Sequence, residues 1–493
     1  MPRWIVPQLD PAATRASLAQ LPDVAAQESL DPPSLGQIYV PMGHQRALSL
    51  DTAVVVGMRG AGKSLWTAVL SSQDHRVFVA SFIHNQALAS VDVRIGFGLD
   101  SSNEHFPSEA VLAHLIAADH EPLAIWQAVV LRHTVRAAGV EPPFPSSDWA
   151  ADVAWVAQHP EEVGALFSEC DKKLVSKGKT LLVLFDALDR LASTWEGVRR
   201  LTMGALQLGL QCRSLRAIRL KFFLRPDMEE DEVIWQFRDS SKLRHSKVEL
   251  SWPTADLYGL ILMYLANSEE HGSQFRDFVA RSVGVQWKEK DGVFPPPREL
   301  TTDQEKLRPI IETIAGAWMG RSAKRGFTYT WVPTHLADAV GRVSPRSFLL
   351  AFKRAAELTG ERYHNHEAAL HYEAIQQGVI AASRIRVGEI KEDYPWVKPL
   401  LEAARGLTVP CDPMELTEHW TAERIDQVEQ AMDKLPPRRF STDPYRPRSH
   451  EALIDDLVEL AVLYRTEDNR LNMPDIFRLE FNIKRKGGVK PPR

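Results

Sequence analysis

One run of eight residues constrains this chain more than any other feature: Gly57-Met-Arg-Gly-Ala-Gly62-Lys63-Ser64 fits the pattern GxxxxGK[ST] in full. Before it stands Thr52-Ala-Val-Val-Val-Gly57, a β-branched run closed by glycine, and after it a stretch of helical spacing from Lys63 to Ser71. Strand, glycine-rich turn and helix in that order build a phosphate cradle. The glycines let the backbone curl so that successive N–H groups point inward, and the helix N-terminus adds partial positive charge. Lys63 then reaches the β- and γ-phosphates, and the Ser64 hydroxyl suits magnesium, a hard cation that takes oxygen ligands. Gly57, Arg59, Gly60, Ala61, Gly62, Lys63, Ser64 and Leu65 are therefore the candidate residues for a nucleoside triphosphate with Mg2+.

Four further strands are predicted: His75–Phe82, Thr180–Asp186, Ala217–Leu224 and Lys247–Trp252. Strands that alternate with helices specify an α/β fold, a parallel sheet with helices on both faces and ligands beyond the carboxyl ends of the strands. Thr180-Leu-Leu-Val-Leu-Phe-Asp186 is an apolar strand ending in an acid, and Asp186 is the second candidate metal ligand beside Ser64. Asp189 follows three residues on, either as the base that polarises an attacking water or as a helix cap. Arg225, just after the fourth strand, is placed to stabilise a transferring phosphoryl group or to pair with Asp227. Lys63, Asp186, Asp189 and Arg225 form the candidate catalytic set.

At 493 residues the chain is too long for one core. Residues 1–45 read as an arm, 46–253 as the nucleotide core with a helical insertion at about 83–178, 254–362 as a helical lid and 363–493 as a C-terminal region. Lid helices are predicted over Ala255–Asn267, Gln304–Met319 and Pro333–Leu358. In the C-terminal region, helix Glu451–Ala461, strand Val462–Arg465, the turn Glu467–Asn469 and a strand near Leu471 have the order of a winged helix. Arg346, in Ser344-Pro-Arg346 at a helix start, reads either as a sensor of the nucleotide or as an exposed arginine.

Hydrophobic and charged fractions of 44% and 25% are those of a globular protein, and no apolar run is long enough to span a membrane. The N-terminus lacks the order of a signal peptide, so a cytoplasmic protein is expected. Cys170, Cys212 and Cys411 lie far apart and define neither a zinc site nor a disulfide framework. His364, His366 and His371 lack acids or cysteines at matching spacing and read as surface histidines. A net charge of −5 excludes a protein that coats nucleic acid with its whole surface. The basic tail is a local exception: Lys484, Arg485, Lys486, Lys490 and Arg493 make DNA a candidate partner, with a solvated tail as the plainer reading.

At these motifs the chain resembles the AAA+ and STAND class of P-loop ATPases, and more closely a group of bacterial stand-alone ATPases with a C-terminal winged helix. The strand ending in Asp186-Ala-Leu-Asp189 is similar to the Walker B of STAND and NACHT proteins. Ser344-Pro-Arg346 is similar to the sensor 2 arginine of origin-recognition ATPases, and Phe223-Leu-Arg225-Pro-Asp227 to the sensor 1 region of the bacterial group. An Asp-Glu Walker B and an arginine-finger box are both missing. The resemblance implies a Mg-ATP-driven switch that assembles with itself or with an effector partner, as in antiviral defence, or alternatively a DNA-binding ATPase of the loader, initiator or remodelling kind. The chain has neither an Asn-Lys-x-Asp motif for guanine nor a Ser-Gly-Gly signature, so adenine is expected; a small-molecule kinase stays open.

Overall fold

A computed structural model of the chain describes residues 9–22, 31–99, 103–145, 148–432 and 450–486. The chain divides into two compact units. One comprises Val40–Ser251 with Ser29–Pro32; the other comprises Trp252–Arg493 with Met1–Glu28 and Pro33–Tyr39.

The first unit is built on five parallel strands: β1 (Val54–Val56), β2 (Asp92–Phe97), β3 (Leu181–Phe185), β4 (Ile218–Leu224) and β5 (Val248–Glu249). Their order across the sheet is β2-β3-β4-β1-β5. All five residues of β3 are buried, as are all three of β1, which is why both faces need helices and why these segments read as continuous apolar runs. The order puts β4 between β1 and β3. The carboxyl end of β4 therefore lies between the glycine-rich loop that leaves β1 and the turn that leaves β3.

Close approach fixes the helices on the sheet. A Cβ on Gly209, in the helix Trp195–Cys212, would stand 2.5 Å from a ring atom of Phe222 on β4, and Phe222 in turn stacks on Phe185 of β3 with centroids 4.9 Å apart. Trp126, fully buried on the helix Pro122–Ala138, donates to the Leu201 carbonyl at 2.7 Å. Buried aromatics of this kind contribute about 2–3 kcal/mol each by burial. Lys221 is fully buried on β4, and its ammonium donates to the carbonyls of Ala47, Ser49 and Thr52 at 2.6–2.9 Å. Those three acceptors match the three N–H groups of an ammonium and tie the helix Gln45–Leu48 to the entry of β1, while burial pulls the lysine down to about 7.

The α/β parallel sheet is as expected from the sequence, with two local corrections. His75–Phe82 is not a strand but most of the helix Gln73–Ile83. Val77 is 48% exposed while Arg76, Val79 and Ala80 are buried, a spacing of three and four, and Phe78 and Phe82 touch one turn apart at 4.7 Å. The true β2 lies within the stretch read as a helical insertion. It is an edge strand, mostly half-buried, with Asp92, Arg94 and Gly96 in it, so no continuous apolar run marks it.

The second unit is helical. Thr254–Ala266 and Gln304–Ala315 lie where helices are predicted, whereas the predicted Pro333–Leu358 breaks into Thr328–Leu336 and Pro345–Arg362 around a turn at which Gly341 N–H donates to the Asp338 carbonyl at 3.0 Å. A helix at Pro11–Ala19, capped by Asp10, joins this unit: Arg15 donates to the carbonyls of Ala369 at 3.0 Å and His364 at 3.2 Å. Further along come β6 (Thr408–Val409), β7 (Tyr464–Arg465), β8 (Leu471–Asn472) and β9 (Lys484–Arg485). After the helix His450–Glu459, β7 and β8 pair antiparallel around a turn at Asn469 (φ +63°), which is the winged-helix-like order read from the sequence. Strand β9 pairs parallel with β6.

Candidate nucleotide-binding site

The loop between β1 and the helix Lys63–Ser71 is held at both ends by the sheet and the helix core. The Gly57 N–H donates to the Leu224 carbonyl at the end of β4, 3.0 Å away, and Ala61 N–H donates to Met58 at 3.1 Å. Gly60 (φ +79°) and Gly62 (φ +105°) adopt left-handed backbone that favours glycine. The helix begins with Trp66 N–H on the Gly62 carbonyl at 3.0 Å. Trp66 is fully buried and its indole donates to His44 Nδ1 at 3.1 Å, so the other imidazole nitrogen, Nε2, carries the hydrogen and donates to the Ser251 carbonyl at 3.0 Å. Burial pulls His44 down to about 4, which keeps this link neutral.

Lys63 folds back over its own loop, donating to the carbonyls of Gly57 at 2.7 Å and Met58 at 3.2 Å. Asp186 closes the other side. It is 3% exposed, accepts from Ala187 N–H at 2.8 Å and hydrogen-bonds the hydroxyls of Ser64 and Thr67, with the Lys63 charge nearby. Burial pushes its carboxyl above the ordinary range, and those donors and that charge oppose the rise. Ala187 sits at φ +53°, a left-handed position that costs a non-glycine residue on the order of 1 kcal/mol and turns the chain sharply out of β3. Sequence reasoning missed Thr67 and His44. Thr67 was accessible from spacing, since it follows Ser64 by three positions on one helix face.

Asp189 lies in the short turn Leu188–Arg190 and does not cap the helix that follows, which Thr194 caps by accepting from Gly197 N–H at 3.2 Å. Instead Asp189 accepts from Arg225 at 3.3 Å. Arg225, about nine-tenths buried, also forks onto Asp227 with contacts of 3.1 and 3.0 Å. The ends of β3 and β4 are thus joined by one arginine between two carboxylates. A glycine-rich loop at a helix start, the Lys63 ammonium, the Ser64 hydroxyl and the Asp186 carboxylate are a residue set that fits a magnesium–triphosphate complex.

Arg346, in the second unit, pairs with Glu389 of the same unit at 3.1 Å. Arg485 pairs with Asp475 at 3.1 Å and sits in β9, so it is a structural cation rather than part of a solvated tail. Lys484 and Lys486 are exposed; Lys490 and Arg493 lie outside the described residues. His371 accepts from Glu373 N–H as a helix cap and stacks on Tyr363 at 3.8 Å. Cys170, Cys212 and Cys411 are buried free thiols. Among the described residues no helix is long and apolar enough to cross a membrane.

A parallel sheet with this loop after its β1 strand defines a P-loop nucleotide-binding fold. No known family description matches the chain, and a search of curated proteins finds no significant match. Among solved structures it is similar to Cdc6p of Pyrobaculum aerophilum, with 10% identity over 92% of this chain and 95% of that one and a TM-score of 0.31. It is also similar to the ORC2 protein of Aeropyrum pernix, with 13% identity over 97% and 94% and a TM-score of 0.37. The ORC1 protein of Aeropyrum pernix is similar at 14% identity over 97% and 92%, with a TM-score of 0.29.

Proposed function

We propose that the chain binds ATP with magnesium at Gly57–Ser64 and hydrolyses it, and that the nucleotide state drives a conformational switch. The observation that carries this reading is the meeting of Lys63, Ser64 and Asp186, which arrive from two strands separated by β4. In this reading the loop N–H groups and Lys63 hold the phosphates, while Ser64 and Asp186 offer oxygens to the metal. Magnesium, when bound, neutralises charge on the phosphate oxygens. Asp189 orients the attacking water, and Arg225 stabilises charge that develops on the transferred phosphoryl group.

Two downstream uses fit such a switch: self-assembly with an effector partner, as in antiviral defence, and loading or remodelling on DNA. The winged-helix-like order at 450–472 favours the DNA use. Isothermal calorimetry tests the binding step. Lys63→Ala removes a charge-assisted contact of about 2 kcal/mol, so affinity for Mg-ATP should fall about 30-fold. Wild-type protein that takes up no Mg-ATP would end the proposal. Mass photometry with ATP, with and without duplex DNA, separates the two uses: ATP-dependent assembly that ignores DNA favours the effector reading.

A further inference from the structure

We propose that the ribbon formed by residues 316–327, in the second unit, is a contact site for single-stranded nucleic acid. The inference does not rest on the ATPase reading. Trp318 and Phe327 are antiparallel bridge partners, held by Met319 N–H on the Gly326 carbonyl at 2.9 Å and Thr328 N–H on the Ala317 carbonyl at 3.1 Å. Those bonds flank the pair, which makes it a non-hydrogen-bonded pair, the kind whose side chains lie closest on one face. Met319, one residue on, points the other way and is 2% exposed, while Trp318 and Phe327 are 42% and 41% exposed. The ribbon therefore anchors itself through its inner face and presents two large aromatics to solvent.

Its tip is basic. Residues 316–327 contain Arg321, Lys324 and Arg325 and no acid, in a chain whose net charge is −5. All three are exposed, and among the described residues neither Lys324 nor Arg325 has an ion-pair partner. The acids beside its neighbours are engaged. Glu312 pairs with Arg308 at 2.6 Å, and Arg308 itself lies 4.5 Å from the centre of the Phe327 ring; Glu373 accepts from Tyr363 and Tyr372 and feels the charge of Arg321. The shape is set locally: the stem of Arg325 lies where a Cβ on Gly320 would come within 2.8 Å, and Gly326 sits at φ +94°.

Cations without partners call for an anionic ligand, and exposed aromatics beside them call for flat apolar surface on the same ligand. A polynucleotide has both. Duplex DNA shields its base faces by stacking, so only an unpaired strand uses Trp318 as well as the cations. Phosphate contacts should give a salt-dependent affinity, and stacking a salt-independent one.

Fluorescence anisotropy of the full chain without nucleotide tests this, using labelled oligothymidylate of about 20 nucleotides, oligouridylate of the same length and a duplex. The wild type should bind a single strand more tightly than the duplex, and the tighter of the two single strands names DNA or RNA as the source. Trp318→Ala should weaken single-strand binding by about tenfold or more with the salt slope unchanged, and Trp318→Phe should restore most of it. Lys324→Ala with Arg325→Ala should reduce the slope of log affinity against log salt by about 1.4, at 0.7 per phosphate contact. Should Trp318→Ala lower the unfolding temperature, Lys324→Ala decides alone, with a slope reduced by about 0.7, since that side chain is exposed and the stem of Arg325 stays in place. Wild-type affinity and salt slope in both variants, or a duplex preferred and indifferent to Trp318→Ala, overturns the proposal.

Discussion

Arg225 is the residue whose surroundings say most about how the site would work. Its guanidinium is shared between Asp227, two residues away on its own turn, and Asp189 at the end of β3. The contact with Asp227 is a fork of two bonds and fixes the plane of the group; the one with Asp189 is a single longer bond. A phosphoryl group arriving between them would compete for Arg225 with Asp189 rather than with Asp227, and would leave Asp189 free to accept from water. Asp189→Asn should therefore lower ATP turnover by about 100-fold while leaving Mg-ATP affinity within a few-fold, measured by phosphate release and calorimetry. An equal loss in both would mean that Asp189 serves only to hold Arg225. At this scale the sequence was most readable. Phosphate chemistry dictates which residues stand at which spacing from Gly57 to Ser64, and an apolar run ending in an acid needs no tertiary knowledge to be seen. Thr67 shared a helix face with Ser64 and was open to spacing, whereas His44 carried no pattern, since a histidine before a strand acquires meaning only when the fold brings Trp66 to it.

The helix Trp195–Cys212 shows how the elements hold the site in place. Gly209 lets the helix lie directly on Phe222, and Phe222 supports Phe185, the residue that precedes Asp186. A methyl group at Gly209 has only ring atoms to move against, so Gly209→Ala should cost about 1–3 kcal/mol by overpacking despite the better helix propensity of alanine. Thermal unfolding reads it: a lowered midpoint is expected, and a raised one would show that the ring yields freely. Strands were legible in proportion to their burial. β1 and β3 lie inside the sheet and read as continuous apolar runs, and β4 ends in the apolar Phe222–Leu224 despite Arg219 and Lys221, while β2 lies at the edge, half-exposed, and carries charge and glycine. The opposite error at His75–Phe82 has the same root. β-branched and aromatic residues suit a strand by propensity, and only the period of burial, with Arg76, Val79 and Ala80 buried at a spacing of three and four, shows a helix.

At the scale of the whole molecule the chain leaves one unit and returns to it: the helix Pro11–Ala19 belongs with the residues after Trp252, and Val40–Ser251 lies between. Asp10 followed by Pro11 is a cap and first-turn pair that local reading can recognise, but the docking of Arg15 on Ala369 spans hundreds of residues and leaves no local trace. Stability against acid is a property of such long-range burial. Within the Val40–Ser251 unit two histidines are held neutral, His44 between Trp66 and Ser251 and His133 at 4% exposure, and burial pulls each down to about 4. In the unfolded chain both return to about 6.5. Between those values the unfolded state binds more protons than the folded one, so stability is complete above pH 6.5 and falls as the pH drops towards 4. Each histidine contributes about 3 kcal/mol to that loss once the pH is below both values, and about 2 kcal/mol by about pH 5. Calorimetric unfolding scanned from about pH 7 to about pH 5 should show the midpoint falling, with a shallower fall in His44→Gln, which keeps a polar group beside Trp66 but has no proton to gain. A fall of the same steepness in His44→Gln would show that acid acts through other groups, and that the neutral link behind the P-loop helix does not govern the unit's tolerance of acid.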